Sequence, residues 1–560
     1  MKTIGWKYTR FLLLGLVLSG VIQVLGCKDD TETDEVIPPE KPIEIDKTYF
    51  PENTQPLLDD LHKKTVDYFW NTGTDGGADP NTGMAFEGAD RRGVVTSGGT
   101  GFGVMAIISG VERGWIDRGA AAERMLKLVH FLGKADRYHG AWSHWMNPST
   151  GEALPWGGLK GGDLLESCLL MEGLLTAREY YDGANAIETE VRDSINSFYQ
   201  TIEFDWFTNG QEYLHWSWYP AQNGQDEVFQ LPIRGYNEAQ IAYIFALASP
   251  DHGISTAIYK SGWLKNGHIK NPQTHYGYNL EIGPDKGGPM FLSHYSTLGM
   301  DPRKMEDQYT NYWEHVLNHV LINRHYCVYD APTAHRYDRG VWGLTACYGS
   351  AANGYKARNP NNDDGTIAPT AALASFPFTP FYSMEWLVYM SKNYSRMNGK
   401  YGFYDAFSIK ENWYANRYLA IDQGPIPVMI ENYRTGFFWE LFMTIPEIQT
   451  GLRKAEIYTP DYETGFHLAK VDAKSGCYEA MMHPDKKTYC IDFYLEDAGA
   501  IAFELDPMLE GETISLSAEK EYAAGSNTLA FELGDIIPND TYTLVMKHSS
   551  GDITLKTRFH

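Results

Sequence analysis

Gly161-Gly162-Asp163-Leu164-Leu165-Glu166 opens the most strongly helical run of the chain, which continues with apolar residues at helical spacing to about residue 181. Asp163 and Glu166 are three apart, and residues at i and i+3 share one helix face, so both carboxylates point into the same space. The pair also has the form of a helix N-cap followed by a capping-box acid. Either way a helix starts here, directly behind a loop rich in tryptophan and glycine.

The same periodicity, apolar residues at i, i+3 and i+4, recurs from about residue 50 to 455. It predicts helices over 55–70, 100–113, 120–134, 163–181, 184–202, 237–248, 255–264, 303–325, 370–375 with a continuation, 381–394, 412–421 and 428–444. Long Gly/Pro/Asn-rich loops separate them, and strand signal is scarce. Roughly a dozen helices paired in this way predict a mainly α fold, an (α/α)6 toroid of six hairpins. Near residue 456 the pattern changes. Short, mostly alternating runs at 489–495, 500–505, 528–533, 541–546 and 553–557 predict a small C-terminal β-sandwich.

The N-terminus reads as an address. Lys2, Lys7 and Arg10 precede an apolar run that ends at Val24-Leu25-Gly26-Cys27, the pattern of a secretory signal. A cysteine directly after Leu-Gly resembles a bacterial lipobox, which implies a diacylated Cys27. Lys28-Asp29-Asp30 through Glu35, then Pro38-Pro39, reads as a flexible tether. The expected layout is therefore a lipoprotein signal peptide at 1–26, a tether at 27–48, a helical domain at 49–455 and a β-sandwich accessory domain at 456–560. The expected location is the outer membrane, at the cell surface or on the periplasmic face, with the lipid as the only membrane contact.

A formal net charge of −25 argues against nucleic acid and other polyanions, which the protein's own field repels. Aromatic residues make up 14% of the chain, including 15 Trp and 37 Tyr, more than a core requires. Sugar rings present apolar faces that stack on aromatics, so the surplus suits a carbohydrate cleft. Paired carboxylates beside aromatic rings suit hydrolysis of a sugar polymer, one acid protonating the leaving oxygen while another activates water. No CxxC pair occurs, and neither a metal nor another cofactor is expected. Cys168 reads as a buried thiol, Cys327 and Cys347 are a possible disulfide, and Cys477 and Cys490 flank an expected hairpin.

Several segments, in order along the chain, resemble the glucoamylase-like domain of bacterial lipoproteins, and above all glycoside hydrolase family 144. They are Val95-Thr96-Ser97-Gly98-Gly99-Thr100-Gly101-Phe102-Gly103, Glu112-Arg113-Gly114-Trp115, Gly162-Asp163-Leu164-Leu165-Glu166, Gly235-Tyr236-Asn237-Glu238-Ala239 and Ser293-His294-Tyr295-Ser296. Trp342-Gly343-Leu344-Thr345-Ala346, Ile367-Ala368-Pro369-Thr370-Ala371-Ala372 and Tyr401-Gly402-Phe403-Tyr404-Asp405-Ala406 follow. Asp422-Gln423-Gly424-Pro425 with Ile430-Glu431-Asn432-Tyr433-Arg434-Thr435-Gly436 completes the set.

The resemblance implies an (α/α)6 barrel and inverting hydrolysis of β-1,2-glucan or its oligosaccharides, with Asp163, Glu166 and Glu238 at the family's acidic positions. This chain has Leu159-Lys160 where the family often carries an acid before the glycines. Glu238 is then the expected general acid, with Asp163 or Glu166 orienting water. Trp142, His144, Trp145, Tyr236, His294, Tyr295, Trp342, Asp422, Glu431 and Arg434 are the expected substrate contacts. Glu431 and Arg434 fit a mutual ion pair equally well, and Trp342 and Phe102 fit either cleft floor or core. The expected partner is a polysaccharide or oligosaccharide, and the expected state a monomer. Two rivals are a glycan-capturing lipoprotein without catalysis and a polysaccharide lyase. A lyase needs Arg or Lys to neutralise a uronate, for which Arg91, Arg92 and Lys160 are the candidates.

Overall fold

The computed structural model describes residues 54–457 and, beyond them, 466–467, 488–495, 499–507, 513–523, 525–532, 541–548 and 553–558. Fifteen α-helices lie among the described residues. They are α1 (Gln55–Trp70), α2 (Ser97–Glu112), α3 (Arg118–Leu132), α4 (Leu164–Tyr180), α5 (Ala186–Gln200), α6 (Gln240–Ala248), α7 (Thr256–Ser261) and α8 (Phe291–His294). α9 (Tyr312–His325), α10 (Pro369–Leu373), α11 (Pro380–Asn393), α12 (Ala420–Gln423), α13 (Pro425–Thr435), α14 (Phe437–Met443) and α15 (Pro446–Lys454) follow.

These helices fall into two physical classes. Residues 97–110 of α2, 164–177 of α4, 240–247 of α6 and 425–434 of α13 are buried without interruption, so these helices are enclosed on every side. On α3 and α5 only one stripe is buried, Ala121, Ala122, Met125, Leu128, Val129 and Leu132 on the former. Inner helices are thus covered by outer ones that keep a face in water.

Two glycines bring α2 and α4 into main-chain contact. A methyl group on Gly101 falls 2.1 Å from the Leu169 carbonyl oxygen, and one on Gly173 falls 2.0 Å from that of Gly101. No side chain fits there. Leu164, Leu165, Leu169, Leu170, Leu174 and Leu175 of α4 are all at most 1% exposed, each contributing roughly 2 kcal/mol of apolar burial. That offsets the cost of enclosing Glu166 and Glu172 on the same helix.

Several sequence expectations are corrected. Segment 412–421 is not a helix: Trp413–Tyr414 pairs with Phe407–Ser408 as a short hairpin, and α12 begins only at Ala420. Helix 303–325 starts at Tyr312, where Asn311 caps it by accepting from the Glu314 amide. Segment 428–444 is broken into α13 and α14 by Gly436 (φ 70°), the left-handed residue that ends a helix. Strands are commoner than the scarce signal implied. Leu214–Tyr219 pairs with Val228–Ile233, and Lys270–His275 with Tyr278–Ile282.

Toward the C-terminus, Phe466–His467, Thr488–Leu495 and Gly525–Glu532 form one antiparallel sheet. Ile514–Tyr522, Gly499–Pro507, Thr541–His548 and Ile553–Arg558 form another. Ile501, Phe503 and Leu505 are fully buried at every second position, as a half-buried strand requires. Cys168 is a buried free thiol as expected, but Cys327 and Cys347 are also free and buried, so they do not pair. Cys27 and Cys477, and the side chain of Cys490, lie outside the described residues.

Candidate active site

Strand residues Gly162–Asp163 pair with Trp218 and Ser217, which fixes the backbone just ahead of α4. Asp163 Oδ1 accepts from the Glu166 amide at 2.9 Å, a true N-cap. Its Oδ2 accepts from Trp216 Nε1 (3.2 Å) and faces His144 Nδ1 (2.9 Å). Glu166 does not return the bond that a capping box needs. Its Oε2 accepts the Gly98 amide at 2.8 Å, at the start of α2, and its Oε1 stands 3.9 Å from His144 Nδ1. Asp163 is therefore saturated, whereas Glu166 keeps one oxygen for another partner.

Burial lowers the affinity of His144 for a proton, but the charges of Glu166 and Asp163 outweigh it and raise the imidazole to about 9. It stays cationic at neutral pH. Glu166 is pushed up to about 7, by burial first and by Asp163, against the opposing pull of His144.

Glu238 lies in the turn ahead of α6, whose N-cap is Ala239 with no side-chain cap bond, so its carboxyl does not cap the helix. It is 5% exposed. Burial raises it to about 7, and the negative charge of Glu166 pushes the same way. The two acids, from separate helix starts, thus feel one another. Tyr295 senses both: its phenol is raised by burial and by the charges of Asp422, Glu166 and Glu238 together.

Asp422, expected as a substrate contact, is 4% exposed and well above the usual carboxylate range, through burial and its neighbours Asp405 and Glu87. Asp405 is raised to about 6, by burial. Two buried carboxyls side by side share a proton rather than both ionise. Asp405 sat in a quoted motif without a role, and Glu87 and Trp216 in none. The alternation of Leu214, Trp216 and Trp218 was the available signal for the last.

The other expected contacts divide. Tyr236 bonds Ser293 Oγ (2.9 Å), and its ring meets His315 edge to face at 4.4 Å. His144 stacks on Trp156 at 4.8 Å. Trp145 is half-buried beside it, with Arg91 4.6 Å over its ring. Trp142 is not a stacking platform: it is fully buried, donates to the Leu132 carbonyl of α3 and meets Phe198 of α5 edge to face. His294 is enclosed, bonded to Ser375 Oγ and held neutral, burial lowering it to about 3. Trp342 and Phe102 are core, both 0% exposed.

Glu431 and Arg434 pair neither with each other nor with the acids above. Arg113 grips both oxygens of Glu431 at 2.7 and 2.8 Å, and Arg434 pairs with Asp59. Ser109 and Arg113 lie at the far end of α2 from Gly98. Eleven residues at 1.5 Å each separate Gly98 from Ser109, about 16 Å.

The expected basic candidates are engaged elsewhere or exposed. Arg92 donates to Gly73 and Gly76 carbonyls, and Lys160 is exposed, its backbone tied to Gln222. His315 and His319 lie one helical turn apart, yet both nitrogens of His319 are bonded, to Ser293 and Gly288. Among the described residues no group of three or more His, Cys, Asp or Glu is placed to hold a metal ion. A surface concavity of about 630 Å³ along α3 has Glu123 as the only carboxylate in its lining and does not include the acids described above.

Residues 230–446 match the glycoamylase family model, which describes a glucoamylase-like domain. An exo-β-1,2-glucooligosaccharide sophorohydrolase (non-reducing end) of Parabacteroides distasonis is 39% identical over 437 residues, 74% of this chain. The chain spans 59% of the length of that curated relative. The structure of an endo-β-1,2-glucanase from Chitinophaga pinensis, solved with sophorotriose and glucose, is 45% identical. It matches with a TM-score of 0.68 over 73% of this chain and 100% of its own. A β-1,2-glucanase structure from Parabacteroides distasonis is 38% identical, with a TM-score of 0.67 over 73% of this chain and 60% of its own. By identity over the full length of the Chitinophaga enzyme, the chain belongs to the glucoamylase-like family of the glycoside hydrolase family 144 type.

Proposed function

We propose that this protein is a glycoside hydrolase that cleaves β-1,2-glucan or its oligosaccharides, with inversion at the anomeric carbon. The observation that carries the proposal is the pair of buried acids Glu166 and Glu238. Both are raised to about 7, and the charge of Glu166 adds to the rise at Glu238. Carboxyls tuned in this way divide into an acid and a base.

Glu238 is the general acid. Enclosure keeps its proton at neutral pH, ready for the glycosidic oxygen. Glu166 offers its unclaimed oxygen to the attacking water, while Asp163 holds the start of α4 and fixes His144. His144 in turn keeps the site from repelling its own negative charge. Tyr295, Tyr236, Trp145 and Asp422 surround the sugar. Activity on this reading requires Glu238 protonated while Glu166 is ionised.

The two classes of helix support an (α/α)6 toroid at 49–455, and the two C-terminal sheets support a β-sandwich at 456–560 that braces the helical domain. A monomer exported as an outer-membrane lipoprotein through Cys27, with 1–26 as signal and 27–48 as tether, completes the proposal. The test is product analysis on a panel of β-glucans with anomer detection by NMR. The α-anomer released first from a β-1,2-linked chain is expected. Release of the β-anomer overturns inversion, and no release from any glucan overturns the enzyme.

A further inference from the structure

The strand Leu214–Tyr219 that brings Trp216 to Asp163 carries a second indole onward. Side chains alternate along a strand, and here Trp216 and Trp218 share the half-buried face while His215, Ser217 and Tyr219 are buried on the other. Two strand residues span ~6.6 Å. Trp206, on a 3-10 turn at Trp206–Thr208, then meets Trp218 at 5.7 Å between ring centroids. The row therefore starts at an acid of the site and runs outward over more than one sugar unit.

Its outer end is built and exposed. His139 stacks flat on Trp206 at 3.7 Å with 10° between the planes, and His139 Nδ1 is anchored to Glu203 at 2.8 Å. Yet Trp206 stays 38% exposed. A large ring clamped on one side and left in water contributes little to a core. It is, however, preorganised to receive an apolar face without further ordering.

We infer that Trp218 and Trp206 form a platform for glucosyl units of the bound chain that lie beyond those at Asp163, Glu166 and Glu238. The inference rests on the hydrolase reading above. On this platform a long glucan gains a stacking contact that a short oligosaccharide cannot reach.

The test compares KM for long β-1,2-glucan with KM for its trisaccharide, in the full chain and in Trp206→Ala. The ratio of short-chain to long-chain KM is expected to fall about five-fold, the loss of one aromatic stacking contact, and Trp206→Phe restores most of it. Calorimetry in the Glu238→Gln background, in which turnover is removed, is expected to show the same loss of about five-fold in long-glucan affinity when Trp206→Ala is added, with trisaccharide binding unchanged. An unchanged ratio in wild-type-like active protein overturns the platform and leaves the hydrolase standing. Equal losses on both substrates, or no rescue by Phe, overturn it as well. Failure of the unaltered protein to cleave any glucan removes the hydrolase reading and the platform together.

Discussion

The two ends of α2 hold buried carboxylates in opposite circumstances. At the N-terminal end, Glu166 meets a backbone amide and a shared imidazolium, with Glu238 nearby, and both acids are pushed toward neutrality. At the C-terminal end, Glu431 is gripped by Arg113 on both oxygens and also accepts from Ser109 and Thr435. Burial is alike, 6% exposure for Glu166 and 2% for Glu431. What differs is the supply of guanidinium. A fully paired carboxylate is settled and braces helices; one denied a dedicated cation keeps a proton close at hand and is fit for chemistry.

The contrast can be broken by substitution. Glu238→Gln removes the transferable proton with little change in shape, and kcat is expected to fall about 10³-fold with melting temperature held or raised. An activity near that of the unaltered protein ends its role as acid. Glu166→Gln is expected to lower kcat by about 10²-fold or more, again without loss of stability; a drop in melting temperature with kcat retained makes it a structural residue. Arg113→Ala should behave in the opposite way. Glu431 is left buried and unpaired, costing about 3 kcal/mol in denaturant unfolding, while kcat per folded molecule persists.

Titration sharpens the comparison. The rate should pass through a maximum near pH 7, falling on the acid side as Glu166 takes up a proton and on the alkaline side as Glu238 loses one. A flat profile from pH 5 to 9 contradicts the assignment. The smallest effect is expected at Glu172, sealed in α4, bonded to the Gly299 amide and raised to about 8 by burial. A folded-state value above the unfolded one stabilises at pH below about 4.5, and that contribution is lost as pH rises through about 8. Glu172→Gln should therefore flatten the decline of stability between pH 5 and 9 and leave kcat alone.

How far these differences could be read from the chain depended on the distance between partners. Asp163 and Glu166 declare themselves because a helix start and i, i+3 spacing are local facts. The ion pairs of Glu431 and Arg434 were invisible, since their partners Arg113 and Asp59 lie 318 and 375 residues away. Arg434, three residues from Glu431, was the obvious but wrong candidate. Trp142 and Trp145 look alike in sequence, yet only the packing of α3 against α5 decides that one is core. Segment 412–421 has apolar spacing that a helix and a tight hairpin both satisfy, and cross-strand pairing with Phe407–Ser408 decided it. The role of Trp216 is not marked by any local pattern, since its partner Asp163 lies 53 residues away.

The contact of Gly101 with Gly173 has a consequence for how such a protein diversifies. Because main chain touches main chain, the starts of α2 and α4, and with them the Gly98 amide and the backbone of Glu166, are brought together by the glycines. The outer rim, including the turn that bears Trp206, is then free to drift under selection for different chain lengths. A lineage carrying this glycine pair can remodel what it grips while the reacting atoms stay put.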